Sequence, residues 1–384
     1  MISKYILTIV FSVGVYFSNA QDTTYARAII KKLTSKEFLG RGYVNDGVNK
    51  AAKFLINEYK TIGLLPIGKS YSQSYKFNVN TFPGKISVII DGKILEAGKH
   101  FLIEPSSQTL KSAYQLFKID SITYKAFDAR KEAPLEIKMR KKLTYTVATS
   151  LEDKAVVELL KDSFPNELKN IDIVYENKFI QNFKCQNVCG YIKGTQQPDS
   201  FLVYTAHYDH LGAMGTAAYF PGANDNASGV SVLLNLAKYY KKNPPKYSIA
   251  FIMFSGEEAG LLGSKYYSEH PLFPLTKIKF LTNLDLLGTG SEGIMTVNAT
   301  VYKTQFEKLV AINDKNKYVS QIKQRGKASI SDHYWFSEKG IPCFFIYTLG
   351  GISAYHDIYD VEKTLPLTDY IDVCKLLIEF NNAL

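Results

Sequence analysis

The feature that most constrains this chain is an apolar run that ends in residues able to bind a metal. Residues 201–212 read FLVYTAHYDHLG, in which Phe201–Ala206 is typical of a buried strand and is followed at once by His207 and Asp209. In an open α/β sheet, ligands collect just outside the carboxyl ends of the parallel strands. The pattern therefore predicts a sheet with a ligand site at one edge.

Two further groups of acidic residues lie at the ends of regular elements. Glu257 and Glu258 follow a second strand-like run, Ile249–Phe254, and Asp225 comes just before the apolar helix pattern Val230–Tyr240. Imidazole and several carboxylates in one crevice form a candidate metal site. The rest of the chain is interpreted as support for that site.

Strand and helix patterns alternate from residue 187 onward. The strand candidates are Val188–Ile192, Phe201–Ala206, Ile249–Phe254, Phe280–Asp285 and Cys343–Thr348. The helix candidates are Ala227–Tyr240, Leu261–Glu269, Val301–Asn313, Asp332–Lys339 and Thr368–Asn381. Strands separated by helices imply crossover connections, which predicts an α/β fold with a mostly parallel central sheet and helices on both faces.

Two more of these strands lead to potential ligands. Phe280–Leu284 is followed by Asp285, and Cys343–Thr348 leads through a glycine-containing loop to His356. Two histidines and at least three carboxylates at one edge exceed what a single tetrahedral zinc ion needs. They fit two zinc ions about 3.5–4 Å apart that share a bridging carboxylate and a bridging water.

Residues 80–182 differ in character from the rest of the chain. Short β-type segments at Ile86–Ile90 and Tyr114–Ile119 accompany a charged stretch, Asp128–Lys142, and a helix pattern, Leu151–Lys161. The segment carries no cluster of metal-binding residue types. It is predicted to be an inserted α+β subdomain.

The N-terminus has the layout of a secretory signal. Lys4 precedes the largely apolar run Tyr5–Phe17, and small residues end at Ala20, after which cleavage is expected. The apolar run of about 13 residues is shorter than the roughly 20 that a membrane helix needs. We therefore expect residues 1–20 to be removed and the mature protein, which has no later membrane span, to be periplasmic or extracellular.

Charge and cysteine content argue against a nucleic-acid-binding protein and against a disulfide-stabilised scaffold. The net charge is +10, but the basic residues are spread along the chain without a nucleic-acid-binding motif beside them, so no nucleic-acid partner is expected. Four cysteines do not make a disulfide scaffold in 384 residues. Cys185 and Cys189 could pair only if a turn brought them together, and Cys343 and Cys374 are predicted to be buried thiols.

The combined motifs resemble the M28 zinc-aminopeptidase family. In chain order they are HYD, GANDNASG, GEEAGLLGS, NLDLLG, SDH followed by GIP, and YHDIYD, and LTSKEFLGRG near the N-terminus is also similar to that family. The resemblance implies a peptidase domain made of residues 21–79 and 183–384. Some members carry a protease-associated domain where this chain has residues 80–182.

The resemblance also implies a role for each predicted ligand. Asp225 would bridge two zinc ions. His207 and Asp285 would complete the site of one ion, and Glu258 and His356 the site of the other.

Other residues are implied to take part in the reaction, which would be hydrolysis of the N-terminal peptide bond of peptides with a free N-terminus. Glu257 would act as the general base on the bridging water, and Asp209 would hold the other ring nitrogen of His207. The family further implies a strained, cis peptide bond between Asp225 and Asn226. Tyr355 is a candidate donor to a tetrahedral intermediate, and Arg325 a candidate contact for a substrate carboxylate.

Three alternatives stay open at this point. A carboxypeptidase or dipeptidase on the same scaffold would need a cationic pocket for a terminal carboxylate, for which Arg325 is the candidate. An acyltransferase similar to glutaminyl cyclase would use one zinc ion, whereas the presence of both His207 and Asp285 favours two. A catalytically inactive binding module would have lost ligands, and none is lost here.

Overall fold

A computed structural model describes residues 23–128 and 132–384, so the predicted signal sequence at 1–20 lies outside the described residues. The helices are α1 (Thr23–Leu33), α2 (Gly47–Ile62), α3 (Gly229–Lys242), α4 (Leu262–Glu269), α5 (Lys303–Asn316), α6 (His333–Glu338) and α7 (Tyr370–Asn382). The strands are β1 (Leu65–Pro66), β2 (Ser72–Thr81), β3 (Ser87–Ile90), β4 (Lys93–Ile94), β5 (Phe101–Ile103), β6 (Leu110–Gln115), β7 (Phe117–Lys118), β8 (Thr123–Ala126), β9 (Leu135–Arg140), β10 (Ala155–Leu160), β11 (Asn170–Tyr175), β12 (Lys178–Ile192), β13 (Gln197–His207), β14 (Ala213–Met214), β15 (Ala218–Tyr219), β16 (Tyr247–Phe254), β17 (Ile278–Leu284), β18 (Ile294–Val297), β19 (Ile322–Gln324) and β20 (Cys343–Thr348).

The central sheet has nine strands within the described ranges. Its order is β1-β12-β16-β13-β17-β20-β18-β19, with β2 also paired to β12. The four strands in the middle, β16, β13, β17 and β20, run parallel, whereas β12 and β18 join them antiparallel on either side. The predicted α/β class and its five strand candidates are confirmed, and β18 and β19 were not predicted.

The middle of the sheet is covered on both faces. All eight residues of β16 are buried, as expected of a strand that reads as a continuous apolar run. Alternate residues of β16 belong to two hydrophobic clusters, with Phe251 in the cluster that includes α3 and α7 and Ile252 in the cluster that includes α4 and α6. The helices therefore pack on both sides, as the sequence predicted.

The segment between β2 and β12 forms a separate part of the structure. These two strands pair antiparallel with Thr81 opposite Lys178, so the chain leaves the central sheet and returns to it at one place. The intervening residues form two smaller sheets, of order β4-β3-β11-β6 and β5-β10-β9-β8-β7. They enclose a hydrophobic cluster that also includes Leu211, Met214 and Phe220 from the segment after β13.

The prediction of a helix at Leu151–Lys161 is wrong. Residues 155–160 form β10, which pairs with both β5 and β9. A short apolar run fits a buried strand as well as a buried helix, and here pairing with two neighbours decided for the strand. Within the described residues between 82 and 177, the helical content is one short 3₁₀ turn at Lys161–Ser163. The helical part expected of an α+β subdomain is thus missing there.

The structure also shows the state of the cysteines and the length and hydropathy of the helices. All four cysteines are free and buried, which confirms the prediction for Cys343 and Cys374 and leaves Cys185 and Cys189 unpaired on β12. Among the helices described, none combines the length and the hydropathy that a bilayer-spanning segment requires.

Two glycines with positive φ provide a test of how closely the N-terminal segment packs on the loops after β13. Gly40 has φ +63°, and a Cβ there would lie 2.3 Å from the Phe220 carbonyl oxygen and 2.4 Å from that of Gly212. Gly68 has φ +79°, with no atom within 4 Å of its Cβ position. Gly68→Ala should lower the free energy of unfolding by about 1–2 kcal/mol, the cost of a left-handed non-glycine residue.

Gly40→Ala should lose roughly 2 kcal/mol more than Gly68→Ala, because backbone atoms must move to make room for the methyl group. Urea unfolding followed by circular dichroism measures both variants. Equal losses for the two would mean that the contact at Gly40 is looser than the structure has it.

Candidate metal centre

The carboxyl ends of the central parallel strands place the predicted ligands at one edge of the sheet. His207 is the last residue of β13, Asp285 directly follows β17, and Glu257 and Glu258 come shortly after β16. The loop after β20 reaches the same place with His356, which has φ +53°. The common direction of these strands brings together residues that are up to 149 positions apart in the chain.

Asp225 lies between two histidines. Its Oδ1 is 3.3 Å from Nε2 of His207, and its Oδ2 is 3.1 Å from Nε2 of His356. Each histidine has a second carboxylate beside the same nitrogen, Asp285 Oδ1 at 3.3 Å from His207 and Glu258 Oε2 at 3.2 Å from His356. The result is two sets of nitrogen and oxygen donors that share one carboxylate.

The spacing of these donors fits zinc. Ligand atoms about 2.0–2.1 Å from a tetrahedral ion lie about 3.3 Å from one another, and the four separations above are 3.1–3.3 Å. Donor atoms of His207, Glu257 and Asp285 all lie within 4.8 Å of one another, and so do those of His207, Asp225 and Glu258. Imidazole nitrogen together with carboxylate oxygen is also a donor set that zinc prefers.

The loop that carries Asp225 is fixed by several hydrogen bonds. The carboxylate of Asp360 accepts the main-chain N–H groups of Asn224, at 2.8 and 3.0 Å, and of Asp225, at 3.0 Å. The Asn226 side chain donates to the Leu284 carbonyl oxygen at the end of β17. The peptide bond between Asp225 and Asn226 is cis, as the family resemblance implied.

Asp209 is fully buried beside His207, but its carboxylate has other partners than expected. The Nδ1 atom of His207 lies 3.2 Å from the main-chain oxygen of Asp209 and 3.8 Å from its carboxylate. The carboxylate instead accepts the Tyr43 hydroxyl, at 2.9 Å, and the main-chain N–H of Glu257, at 3.2 Å. Burial raises the pKa of Asp209 to about 6. Asp209 therefore connects the segment of His207 to the segment of Glu257.

Two residues that sequence reasoning did not assign hold predicted ligands in place. Nδ1 of the buried His210 lies 2.7 Å from Glu258 Oε1, and the other oxygen of Glu258, Oε2, lies beside His356. The Ser331 hydroxyl donates to Asp285 Oδ2 at 2.8 Å. Ser331 lies inside the motif SDH and His210 directly follows the motif HYD, but the sequence does not say which predicted ligand each one contacts.

The comparisons with known proteins agree with this arrangement. The sequence model of peptidase family M28 matches residues 187–380, about half of the chain. This chain belongs to peptidase family M28. The family resemblance stated from the motifs is thus confirmed, and the matched region contains all of the predicted ligands.

Relatives of known name match shorter stretches. Aminopeptidase YwaD of Bacillus subtilis is 40% identical over 117 residues, which are 30% of this chain and 24% of that protein. A probable zinc metalloprotease of Pyricularia oryzae is 36% identical over 114 residues, 29% of this chain and 23% of that protein. The matched region spans about a quarter of the length of each of these relatives.

Solved structures of the family share the fold over almost the whole chain. A peptidase M28 precursor from Shewanella amazonensis superimposes with a TM-score of 0.74 at 15% identity, covering 94% of this chain and 93% of that one. BSAP, a zinc aminopeptidase from Bacillus subtilis, gives a TM-score of 0.68 at 21% identity, covering 93% and 95%. Likeness at such low identity shows the fold, and it confirms the predicted α/β architecture.

Next to the predicted ligands, the M28 fold of this chain leaves a cavity of about 330 Å³. His207, Asp225, Glu257, Asp285 and His356 line it, and so do Arg325 and Tyr355, the two predicted substrate contacts. The ring of Tyr355 stacks on that of His356 with 4.0 Å between centroids. Burial raises the pKa of Glu257 well above its ordinary range.

The segment between β2 and β12 reaches the candidate metal centre through the loop of His356. The main-chain N–H of Tyr145 donates to the His356 carbonyl oxygen at 2.9 Å. The Lys142 ammonium donates to the Ser353 carbonyl oxygen at 3.1 Å and lies 3.2 Å from the carboxylate of Asp357. Lys142 and Tyr145 therefore contact the predicted ligand His356 and residues on either side of it, through the main chain of Ser353 and His356 and the side chain of Asp357.

Arg41 is a buried cation beneath the predicted ligands. Its guanidinium, fully buried, donates to five main-chain carbonyl oxygens at 2.7–3.2 Å: those of Leu33, Tyr208, Pro221, Gly222 and Asp225. Burial lowers its pKa to about 10, and nearby acidic groups such as Asp225 and Asp360 oppose that shift, so the side chain stays charged at neutral pH. Arg41 thus joins the N-terminal segment, the end of β13 and the loop of Asp225.

Arg41→Met should lower the free energy of unfolding by about 3–5 kcal/mol, because five carbonyl oxygens lose their hydrogen-bond donor and the buried acidic residues lose a nearby positive charge. The measurement is urea unfolding in the presence of chelator, so that metal binding does not contribute. Arg27→Met is the matched control.

Arg27 is 43% exposed and pairs with Glu362 at 3.2 Å, so its substitution should cost about 0–1 kcal/mol. Similar losses for the two variants would contradict the role given to Arg41.

Proposed function

We propose that this chain is an exported di-zinc metallopeptidase that hydrolyses the N-terminal peptide bond of peptides with a free N-terminus. The observation that carries the proposal is the position of Asp225, each of whose oxygens lies beside a different histidine. Such a carboxylate is what two adjacent ions need as a bridge. The names of the relatives, an aminopeptidase and a zinc metalloprotease, support the same activity.

His207 and Asp285 would hold one zinc ion, His356 and Glu258 the other, and Asp225 both. When bound, ions of this kind polarise the scissile carbonyl group and lower the pKa of water toward about 7. His210 and Ser331 would keep the ligand carboxylates in orientation through their hydrogen bonds to Glu258 and Asp285.

Glu257 is proposed as the general base. Its carboxylate belongs to the same compact group as His207 and Asp285, and its main chain is tied to Asp209. It would take a proton from the attacking water at a carboxylate oxygen and pass that proton to the departing amine. Tyr355, stacked on His356 at the cavity wall, would donate a hydrogen bond to the tetrahedral intermediate.

The organisation of the chain belongs to the same proposal. Residues 1–20 would be a signal sequence that directs the protein to the periplasm or the extracellular space. Residues 21–79 and 183–384 would form the peptidase domain, with 80–182 as an inserted subdomain. The antiparallel pairing of β2 with β12 supports these boundaries, because an insertion is accommodated most simply where its two ends meet.

Hydrolysis of aminoacyl-p-nitroanilides tests the activity directly. The zinc-loaded protein should cleave substrates with a free amine, should not cleave their N-acetylated forms, and should lose activity with chelator. Glu257→Gln should lower kcat by about 10²–10⁴-fold, because the base is removed without a change in size. The exposed Glu269 on α4 offers a control, Glu269→Gln, which should keep full activity.

Cleavage of the acetylated substrates, or full activity of Glu257→Gln, would refute the aminopeptidase proposal. Retained zinc in Glu257→Gln, measured by mass spectrometry, would show that its loss of activity does not come from an emptied metal site.

Zinc content tests the number of ions. The wild-type protein should bind about two zinc ions per chain, and His356→Ala about one, because His207 and Asp285 remain for the first ion. Inductively coupled plasma mass spectrometry after dialysis gives the ratio. One ion in the wild type would favour an acyltransferase similar to glutaminyl cyclase, and none would favour an inactive binding module.

A further inference from the structure

Arg325 stands out among the residues that line the cavity of the metal centre. It directly follows β19, and its main-chain N–H donates to the Thr296 carbonyl oxygen of β18 at 2.9 Å, which fixes the start of its loop. The side chain lines the same cavity as His207, Glu257 and Asp285. Arg325 is an exposed residue, so its positive charge borders the space in which the proposed reaction takes place and is open to solvent.

The other arginines that the structure describes all have partners. Arg27 pairs with Glu362, Arg140 pairs with Glu158, and Arg41 is bound by main-chain carbonyl groups. Within the described ranges, the Arg325 guanidinium has neither a hydrogen bond nor an ion pair. Its five N–H donors are available to a molecule that enters the cavity.

The surroundings of Arg325 indicate what that molecule carries. The carboxylates in the cavity are committed to the proposed metal ions and to the water. The rest of the wall is apolar or aromatic, formed by Leu286, Ile330, Phe345, Tyr347 and Tyr355. In such a setting a guanidinium prefers a carboxylate, which it can bind with two parallel hydrogen bonds.

We propose that Arg325 binds a carboxylate of the substrate and so directs this peptidase to anionic substrates. The inference rests on the proposed function, since it concerns the same cavity. A volume of about 330 Å³ is at the small end of ligand pockets, which favours substrates of one or two residues in contact with the wall. The carboxylate is either the side chain of an N-terminal acidic residue or the free C-terminus of a short peptide.

Four substrates separate these sources: Glu-p-nitroanilide, Leu-p-nitroanilide, Leu-Leu and Leu-Leu-amide. Arg325→Gln should lower kcat/KM about 10–100-fold for the substrate whose carboxylate is bound, mainly through KM, and should leave its neutral counterpart within about twofold. An effect on Glu-p-nitroanilide identifies the side chain, and an effect on Leu-Leu but not on its amide identifies the C-terminus.

Two further variants make the test specific. Arg325→Lys should recover part of the loss, because it keeps the charge but not the paired donors. Lys323→Gln removes a positive charge from the exposed part of β19, outside the cavity lining, and should behave as the wild type. Equal changes of Arg325→Gln on charged and neutral substrates, or no change on any, would overturn the inference.

A binding measurement keeps the two proposals apart. Isothermal titration calorimetry measures the affinity for Leu-Leu and for glutamate without turnover. The two proteins compared are zinc-loaded Glu257→Gln and the double variant Glu257→Gln, Arg325→Gln. Affinity that depends on Arg325, together with a zinc-loaded wild-type protein that hydrolyses none of the four substrates, would refute the proposed activity and keep the inference. If the wild-type protein hydrolysed free-amine substrates but Arg325→Gln changed charged and neutral substrates equally, the proposed activity would be kept and the inference about Arg325 refuted.

Discussion

A concentration of buried negative charge is the constraint on which the rest of this structure depends. Asp209, Asp225, Asp285 and Asp332 are all at most 6% exposed, and they meet at one edge of the sheet. Ionised carboxylates cost several kcal/mol each to bury unless cations and donors surround them. Histidines and the guanidinium of Arg41 supply part of that compensation, and the proposed zinc ions would supply most of the rest.

The same constraint explains why distant parts of the chain converge on the site. The N-terminal segment contributes Arg41 and Tyr43, which bind the loop of Asp225 and the carboxylate of Asp209. The segment between β2 and β12 holds the loop of His356 and shares a hydrophobic cluster with residues after β13, where the ring of Tyr145 stacks on Phe220 at 4.5 Å. This segment is therefore part of the support of the candidate site.

The proposed chemistry and the proposed selectivity of the site would rest on different elements. Of the proposed ligands, His207 and Asp285 are placed by strand ends in the buried middle of the sheet, where pairing on both sides leaves little freedom. Arg325 and Ile330 lie on the loop between β19 and α6, at the border of the sheet. Loops at a rigid scaffold are where members of one fold differ in what they bind.

The sequence by itself determined the parallel strands, the helices around them and a group of predicted ligands that the fold brings together at one edge of the sheet. It could do so because apolar runs report burial, and because a residue just after a buried parallel strand has one edge of the sheet to occupy. Local pattern did not determine the strand at residues 155–160, which was predicted as a helix, nor the two short strands β18 and β19.

Only the tertiary structure decided which groups hold the ligands. Tyr43 binds Asp209 across 166 positions, and Ser331 binds Asp285 across 46. Asp209 itself offers His207 its main-chain oxygen rather than its carboxylate. The physical reason is that burial follows from a residue's own neighbours in sequence, whereas the partner of a buried polar group depends on how distant segments pack.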